Sequence, residues 1–156
     1  MIFEKDFTDL LSLLNQKQVK YVLVGGLAVV VHGLFRTTKD MDIYYERTEN
    51  NCVKLLNVIN EFGFKSLKFT VADLLDEDCY IQLGHDPVRI DFFNELPGVK
   101  FEAVYDNAFW HEEEDVKVKV IHVNHLIENK LCVGRLQDLD DVKKLKKLLN
   151  RKRKNK

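Results

Sequence analysis

The chain has 156 residues, 46% hydrophobic and 31% charged, enough apolar material for one globular domain that needs neither disulfides nor a metal to fold. The net charge of -1 conceals an asymmetry: nine basic residues and no acidic one lie between Lys143 and Lys156, against 15 basic and 25 acidic residues before them. No run approaches the roughly 18 apolar residues of a membrane span, and the N-terminal MIFEKDFTDLL is acidic and amphipathic where a signal peptide is basic and then apolar, so a cytoplasmic protein with no membrane partner is expected.

In chain order, Phe3, Phe7, Leu10, Leu11 and Leu14 recur at helical spacing over residues 3 to 18, and YVLV at 21 to 24 reads as a short buried strand. Gly25 and Gly26 end it, and LAVVVHGLF reads as a short helix. MDIYY is a second strand, followed by a helix from about Glu49 to Phe62 with Cys52, Leu55, Leu56, Ile59 and Phe62 on one face and Gly63 at its stop. CYIQLG and VRIDFF form two antiparallel strands joined around HDP, VKVKVIHV alternates as a half-buried strand does, and two helices close the chain. The fold class is α+β, a mixed sheet flanked by helices, in one domain over residues 1–150. Residues 151–156 form a basic tail expected to be disordered. That tail is either a solvated helix end, where positive charge suits the negative end of the helix dipole, or a contact for RNA phosphates.

The second strand poses a problem, because Asp40 and Asp42 flank Met41 in an otherwise apolar run. Strand side chains alternate, so both carboxylates project to one side while Met41 and Ile43 project to the other. Two like charges about 7 Å apart on a half-buried face repel and lose hydration, and they persist where a cation or donor compensates them. Oxygen ligands alone indicate a hard ion, magnesium or manganese ahead of zinc. An EF-hand is excluded, since counting from Asp40 puts Tyr45 where glycine is required and Asn51 where glutamate is. The glycine pair between strand and helix lets backbone pass close to a ligand and suits phosphate oxygens, yet the spacing matches neither GxGxxG nor a P-loop.

Gly25-Gly26, thirteen intervening residues, Asp40-x-Asp42 and a later aspartate in an apolar strand, Asp91 in VRIDFF, together resemble the DNA polymerase β-like nucleotidyltransferase superfamily. The longer stretch GGLAVVVHGLFRTTKDMD is similar to the minimal bacterial branch that includes nucleotidyltransferase toxins of abortive-infection toxin-antitoxin systems. Small antibiotic nucleotidyltransferases share the outline. The C-terminal HLIENKLCVGRLQDLDDVKKL extends the resemblance, placing Lys130, Arg135 and Asp138 at matching positions.

The resemblance implies a metal-dependent nucleotidyltransferase that moves a nucleoside monophosphate from an NTP to an acceptor hydroxyl. Asp40, Asp42 and Asp91 would hold Mg2+ or Mn2+, with Asp91 also taking the acceptor's proton. Gly25 and Gly26 would lie against the β- and γ-phosphates, Lys130 would neutralise triphosphate charge, and Arg36 is a further candidate binder. RNA, such as a tRNA end, is the favoured acceptor, with an antibiotic or a protein hydroxyl as alternatives and an antitoxin protein as a partner. The competing class is a non-catalytic binding module of the same fold, or an antitoxin partner, and retention of Asp91 argues against it.

Other residues have plainer readings. Spacing leaves Lys130 between a solvated and a ligand-facing position, and Arg135 and Asp138, three apart, also suit an ion pair. His32 lies between the glycines and the aspartates and is read as orienting or substrate-contacting. His122 and His125 lack a third nitrogen or sulfur ligand nearby, HEEED at 111 to 115 reads as a solvated turn, and Trp110 with Phe109 reads as core. Cys52, Cys79 and Cys132 lack CxxC pairing and read as reduced, mostly buried thiols.

Overall fold

The structure, a computed structural model, describes residues 3–85 and 87–155. Six strands form one mixed sheet in the order β3-β4-β2-β1-β6-β5: β1 Tyr21–Val24, β2 Asp40–Tyr45, β3 Tyr80–His85, β4 Val88–Phe93, β5 Phe109–Glu113 and β6 Val116–Val120. The helices are α1 Lys5–Gln16, α2 Gly25–Val31, α3 Glu49–Ile59, α4 Val71–Leu75, α5 Phe101–Asn107, α6 Val123–Val133 and α7 Leu136–Lys154.

The centre of the sheet is where the sequence is most apolar. β1 is buried along its whole length, pairs antiparallel with β2 and meets β6 in parallel. In β2, Met41 and Ile43 are fully buried on the face opposite Asp40 and Asp42, as the alternation requires. α1 buries Phe7, Leu10, Leu11 and Leu14 and packs on β6, β4 and α3. Burial of such side chains stabilises by about 2 kcal/mol each.

Several boundaries differ from the sequence reading. α3 ends at Ile59, and a single π turn over Asn60–Phe64 carries Phe62 and Gly63 beyond it. The segment holding HEEED is the edge strand β5, paired antiparallel with β6, and the turn falls at Glu114 and Asp115. Trp110 is therefore not a core residue: it is 53% exposed, because the outermost strand packs against a single neighbour, and the Lys119 ammonium lies 5.5 Å from its ring. α4 and α5 are additional short helices; Thr70 starts the first by accepting from the Asp73 amide, while the Asp73 carboxylate accepts from the Thr70 amide. Of the cysteines Cys52 is buried, but Cys132 is exposed on α6. α7 continues through Arg151, Lys152, Arg153 and Lys154, so this part of the basic tail is helical.

Candidate active site

β4 places the later aspartate. It pairs in parallel with β2 so that Asp40 faces Arg89, Asp42 faces Asp91 and Tyr44 faces Phe93. On its other side β4 pairs antiparallel with β3, setting Gln82 beside Asp91 and Tyr80 beside Phe93. Period-two alternation then puts Asp40, Asp42, Arg89, Asp91 and Tyr80 on one face of the sheet, above the buried Met41, Ile43, Ile90 and Phe92 of the other. Parallel pairing of two strands distant in sequence thus brings three carboxylates to one patch.

The glycines close the patch from the β1 side. Gly25 has φ +70°, and a β-carbon there would run into the Asp42 Oδ2 oxygen; a β-carbon on Gly26 would meet Thr38 Oγ1. Close packing of the β1–α2 turn on the carboxylate strand therefore requires glycine at 25 before any ligand is considered.

α6 and α7 form the far wall. Gly134, in the left-handed conformation with its amide on the Lys130 carbonyl, ends α6 and turns the chain into α7. This folds Lys130 back onto two acids of α7, with Nζ 3.3 Å from Asp138 and 2.9 Å from Asp141. Lys130 is 5% exposed, which removes it from the solvated class. Arg135 donates to Asp138 at 2.8 Å, the ion pair its spacing suggested, and Arg36 pairs with Asp141. Asp138 is opposed by burial, yet the bonds from Arg135 and Lys130 hold its carboxyl below the usual carboxylate range.

The structure brings Gly25, Gly26, Arg36, Asp40, Asp42, Asp91 and Lys130 together around one cleft of about 440 Å³. Arg89, Tyr80, Thr38 and Arg135 line it as well. A wider groove of about 670 Å³ lies beyond Leu96 and Pro97, which border both; it contains none of the three aspartates. His32 lies outside the cleft lining and is bonded through Nε2 to the Ile121 carbonyl, and His122 caps α6 through Nδ1. Both imidazoles have structural partners.

The electrostatics of the carboxylate patch are uneven. Asp42 is pushed up to about 7 by burial, then by the charges of Asp91 and Asp40, against the weaker opposing pull of Arg89 and Lys130. Arg89 spans the other two acids, donating from Nη2 to Asp40 at 2.7 Å and from Nε and Nη2 to Asp91 at 3.1 Å each. Tyr80 donates its hydroxyl to Asp91 Oδ2 at 2.5 Å, and its phenol is pushed up to about 12 by burial and by that bond. Asp91, 1% exposed, thus has both oxygens engaged.

Oxygen-only donors side by side on adjacent strands, with one of them resisting ionisation because of burial and its carboxylate neighbours, suit a hard divalent cation. As the side chains stand, no three acids or imidazoles converge closely enough to ligate an ion among the described residues. The guanidinium of Arg89 already provides positive charge between Asp40 and Asp91, so an ion there requires Arg89 to withdraw. Arg89 and Tyr80 were not singled out from the sequence, although both were within reach: Arg89 shares the Asp91 face two residues earlier, and hairpin register places Tyr80 one strand over.

The fold has solved counterparts. TM1012 of Thermotoga maritima, assigned as a nucleotidyltransferase, superposes with a TM-score of 0.61 at 15% identity, covering 93% of this chain and 91% of its own. The lincosamide antibiotic adenylyltransferase LnuA with lincomycin bound gives a TM-score of 0.55 at 17% identity, covering 94% of this chain and 98% of its own. No curated sequence relative matches the chain. Residues 4–155 match the family described as "Nucleotidyl transferase of unknown function (DUF2204)". Since that match spans almost the whole chain, and the mixed sheet is shared with two structures of nucleotidyltransferase description, the protein belongs to this nucleotidyl transferase family.

Proposed function

We propose that the protein is a metal-dependent enzyme that transfers a nucleoside monophosphate from an NTP to an acceptor hydroxyl. The observation that carries this is the register of β2 and β4, which sets Asp42 against Asp91 with Asp40 on the same face, beside the glycine turn and Lys130. Asp40, Asp42 and Asp91 would hold Mg2+ or Mn2+, which when bound supplies the positive charge that an anionic triphosphate and its leaving group require.

The chain's own residues do the rest. Gly25 and Gly26 leave room for the β- and γ-phosphates against the turn. Arg36 and Arg135 border the same space and add positive charge, while Lys130, tied to Asp138 and Asp141, acts chiefly by holding α6 and α7 in place. Asp91 receives the acceptor's proton as the acceptor oxygen bonds to the α-phosphorus. The bond from that phosphorus to the bridging oxygen breaks and pyrophosphate leaves. Release of Arg89 from Asp40 and Asp91 precedes the reaction and returns its charge to the triphosphate side of the cleft.

RNA, with a tRNA end as the specific expectation, is the acceptor we favour, supported by the resemblance of residues 25–42 to toxin nucleotidyltransferases and by the exposed basic end of α7. In the toxin reading an antitoxin protein is the partner. The lincomycin-bound structure that shares the fold makes a small-molecule acceptor the competing outcome. The test is incubation of wild-type protein and Asp40→Ala/Asp42→Ala with magnesium, each α-labelled NTP in turn, and either total RNA or lincomycin. Label on RNA from the wild type alone is expected. Label on lincomycin with none on RNA would replace the acceptor, and no transfer with no calorimetric NTP binding would return the protein to the class of binding modules.

A further inference from the structure

Tyr80 is an unusual partner for the residue expected to take the acceptor's proton. Its ring lies flat on Phe93, with centroids 5.8 Å apart and planes at 5°, and directs the hydroxyl into the cleft, where it donates to Asp91 Oδ2 at 2.5 Å. An acceptor hydroxyl about to lose its proton to Asp91 would make the same bond to the same oxygen. Arg89 bonds the same carboxylate through both oxygens, so before the reaction Tyr80 is one of two donors on Asp91. Tyr80 is 55% exposed on the edge strand β3. Among the described residues lining the cleft only Tyr80 and Thr38 carry a hydroxyl, and Thr38 lies on the glycine side against Gly26.

We infer that Tyr80 is itself a nucleotide acceptor, and that the enzyme nucleotidylates its own phenol in cis. This rests on the transferase reading above and names one acceptor for that same site. The step balances as a simple displacement: the Tyr80 oxygen bonds to the α-phosphorus of the NTP, the bond from that phosphorus to the bridging oxygen breaks, the phenolic proton passes to Asp91, and pyrophosphate leaves. The product is a phosphodiester between Tyr80 and the nucleoside, lying in the cleft. No oxidant or further reactant is needed.

The experiment uses the full chain with magnesium and each α-labelled NTP, with and without total RNA, and reads the protein by intact mass and peptide mapping. The expected result is one nucleotide added, mapped to Tyr80 in the wild type and lost in Tyr80→Phe, at a rate per chain that does not change on tenfold dilution. Two further readouts need no loaded enzyme. The metal-free protein should show a downfield hydroxyl proton resonance that disappears in both Tyr80→Phe and Asp91→Asn, and thermal unfolding should show that Tyr80→Phe is folded. Label on RNA with none on the protein would overturn self-transfer and leave the transferase reading standing. Label at another residue, or a rate per chain that falls on dilution, would overturn it as well. No label on RNA or protein would overturn this inference, and the transferase reading falls with it when lincomycin is also unlabelled and calorimetry shows no NTP binding.

Discussion

Asp42 faces Asp91 across the β2–β4 ladder, and burial, Asp91 and Asp40 together push its carboxyl up to about 7 from an ordinary value near 3.8. The folded chain therefore retains a proton between about pH 4 and pH 7 that the unfolded chain releases, so this group's contribution to stability falls as pH rises through that window and is at its worst above it. With chelator present, Asp42→Asn should raise the melting temperature by about 4 °C at pH 8 and by almost nothing at pH 4, read by thermal unfolding across pH. A destabilised variant at pH 8 would show that the carboxylate is compensated without metal. Magnesium should raise the melting temperature of the wild type at pH 8 and leave Asp42→Asn nearly unmoved. Gly25 presses on the same carboxylate: Gly25→Ala introduces a β-carbon against Asp42 Oδ2 at a φ of +70°, and should cost about 1–3 kcal/mol in urea unfolding together with most of the transfer activity.

Among elements, the α6–α7 corner is the one held by charge. Lys130 ties Asp138 and Asp141 of α7 to α6, and Arg36, from the segment between α2 and β2, joins through Asp141. Both acids are buried, so Lys130→Met removes their shared cation and leaves Asp138 with Arg135 alone and Asp141 with Arg36 alone. A loss of about 3 kcal/mol, the low end for a broken buried pair, is expected from urea unfolding because each acid keeps one partner. Arg36→Ala should cost less, because Asp141 keeps Lys130, and the double variant should depart from additivity since the two cations share one carboxylate. Simple additivity would mean that the loop and the helix corner are independent. The exposed pair Lys144–Asp140 on α7 provides the contrast: with both side chains more than half exposed and screened by solvent, its removal should leave the urea midpoint unchanged.

At the scale of the whole molecule, the cleft lies where three separately specified pieces meet: the glycine turn after β1, the central strands β2 and β4, and the α6–α7 corner. The basic end of α7 extends away from it, and ending the chain after Asn150 removes Arg151, Lys152, Arg153, Lys154 and Lys156. The exposed residues among these contribute little packing, so stability should change by less than about 0.5 kcal/mol. If RNA is the acceptor, labelling of RNA by the shortened chain should fall several-fold at low salt and approach the wild type at high salt, because phosphate contacts are salt-dependent. Equal labelling at every salt concentration would remove the tail from the acceptor site. Among the described residues no helix is long and apolar enough to cross a membrane.

Local periodicity made β2 and the helix faces legible, because burial of one face imposes alternation or a helical repeat on the residues themselves. Asp40 and Asp42 stood out for the same reason, as charges at positions in an apolar run, and Asp91 as a charge in a second such run. β5 was hidden because an edge strand buries too little to impose a pattern, and Trp110 could not be assigned to core or surface without knowing that its strand lies outermost. The sequence by itself determined that Asp40, Asp42 and Asp91 stand as charges in apolar strands and which faces of those strands they occupy. Tertiary structure alone decided that Asp42 meets Asp91 through parallel pairing of strands far apart in the chain, that Arg89 and Tyr80 hold Asp91, and that Lys130 turns to Asp138 and Asp141 across Gly134. Those partners are set by packing between distant segments, and such pairing leaves no repeating mark in either segment alone.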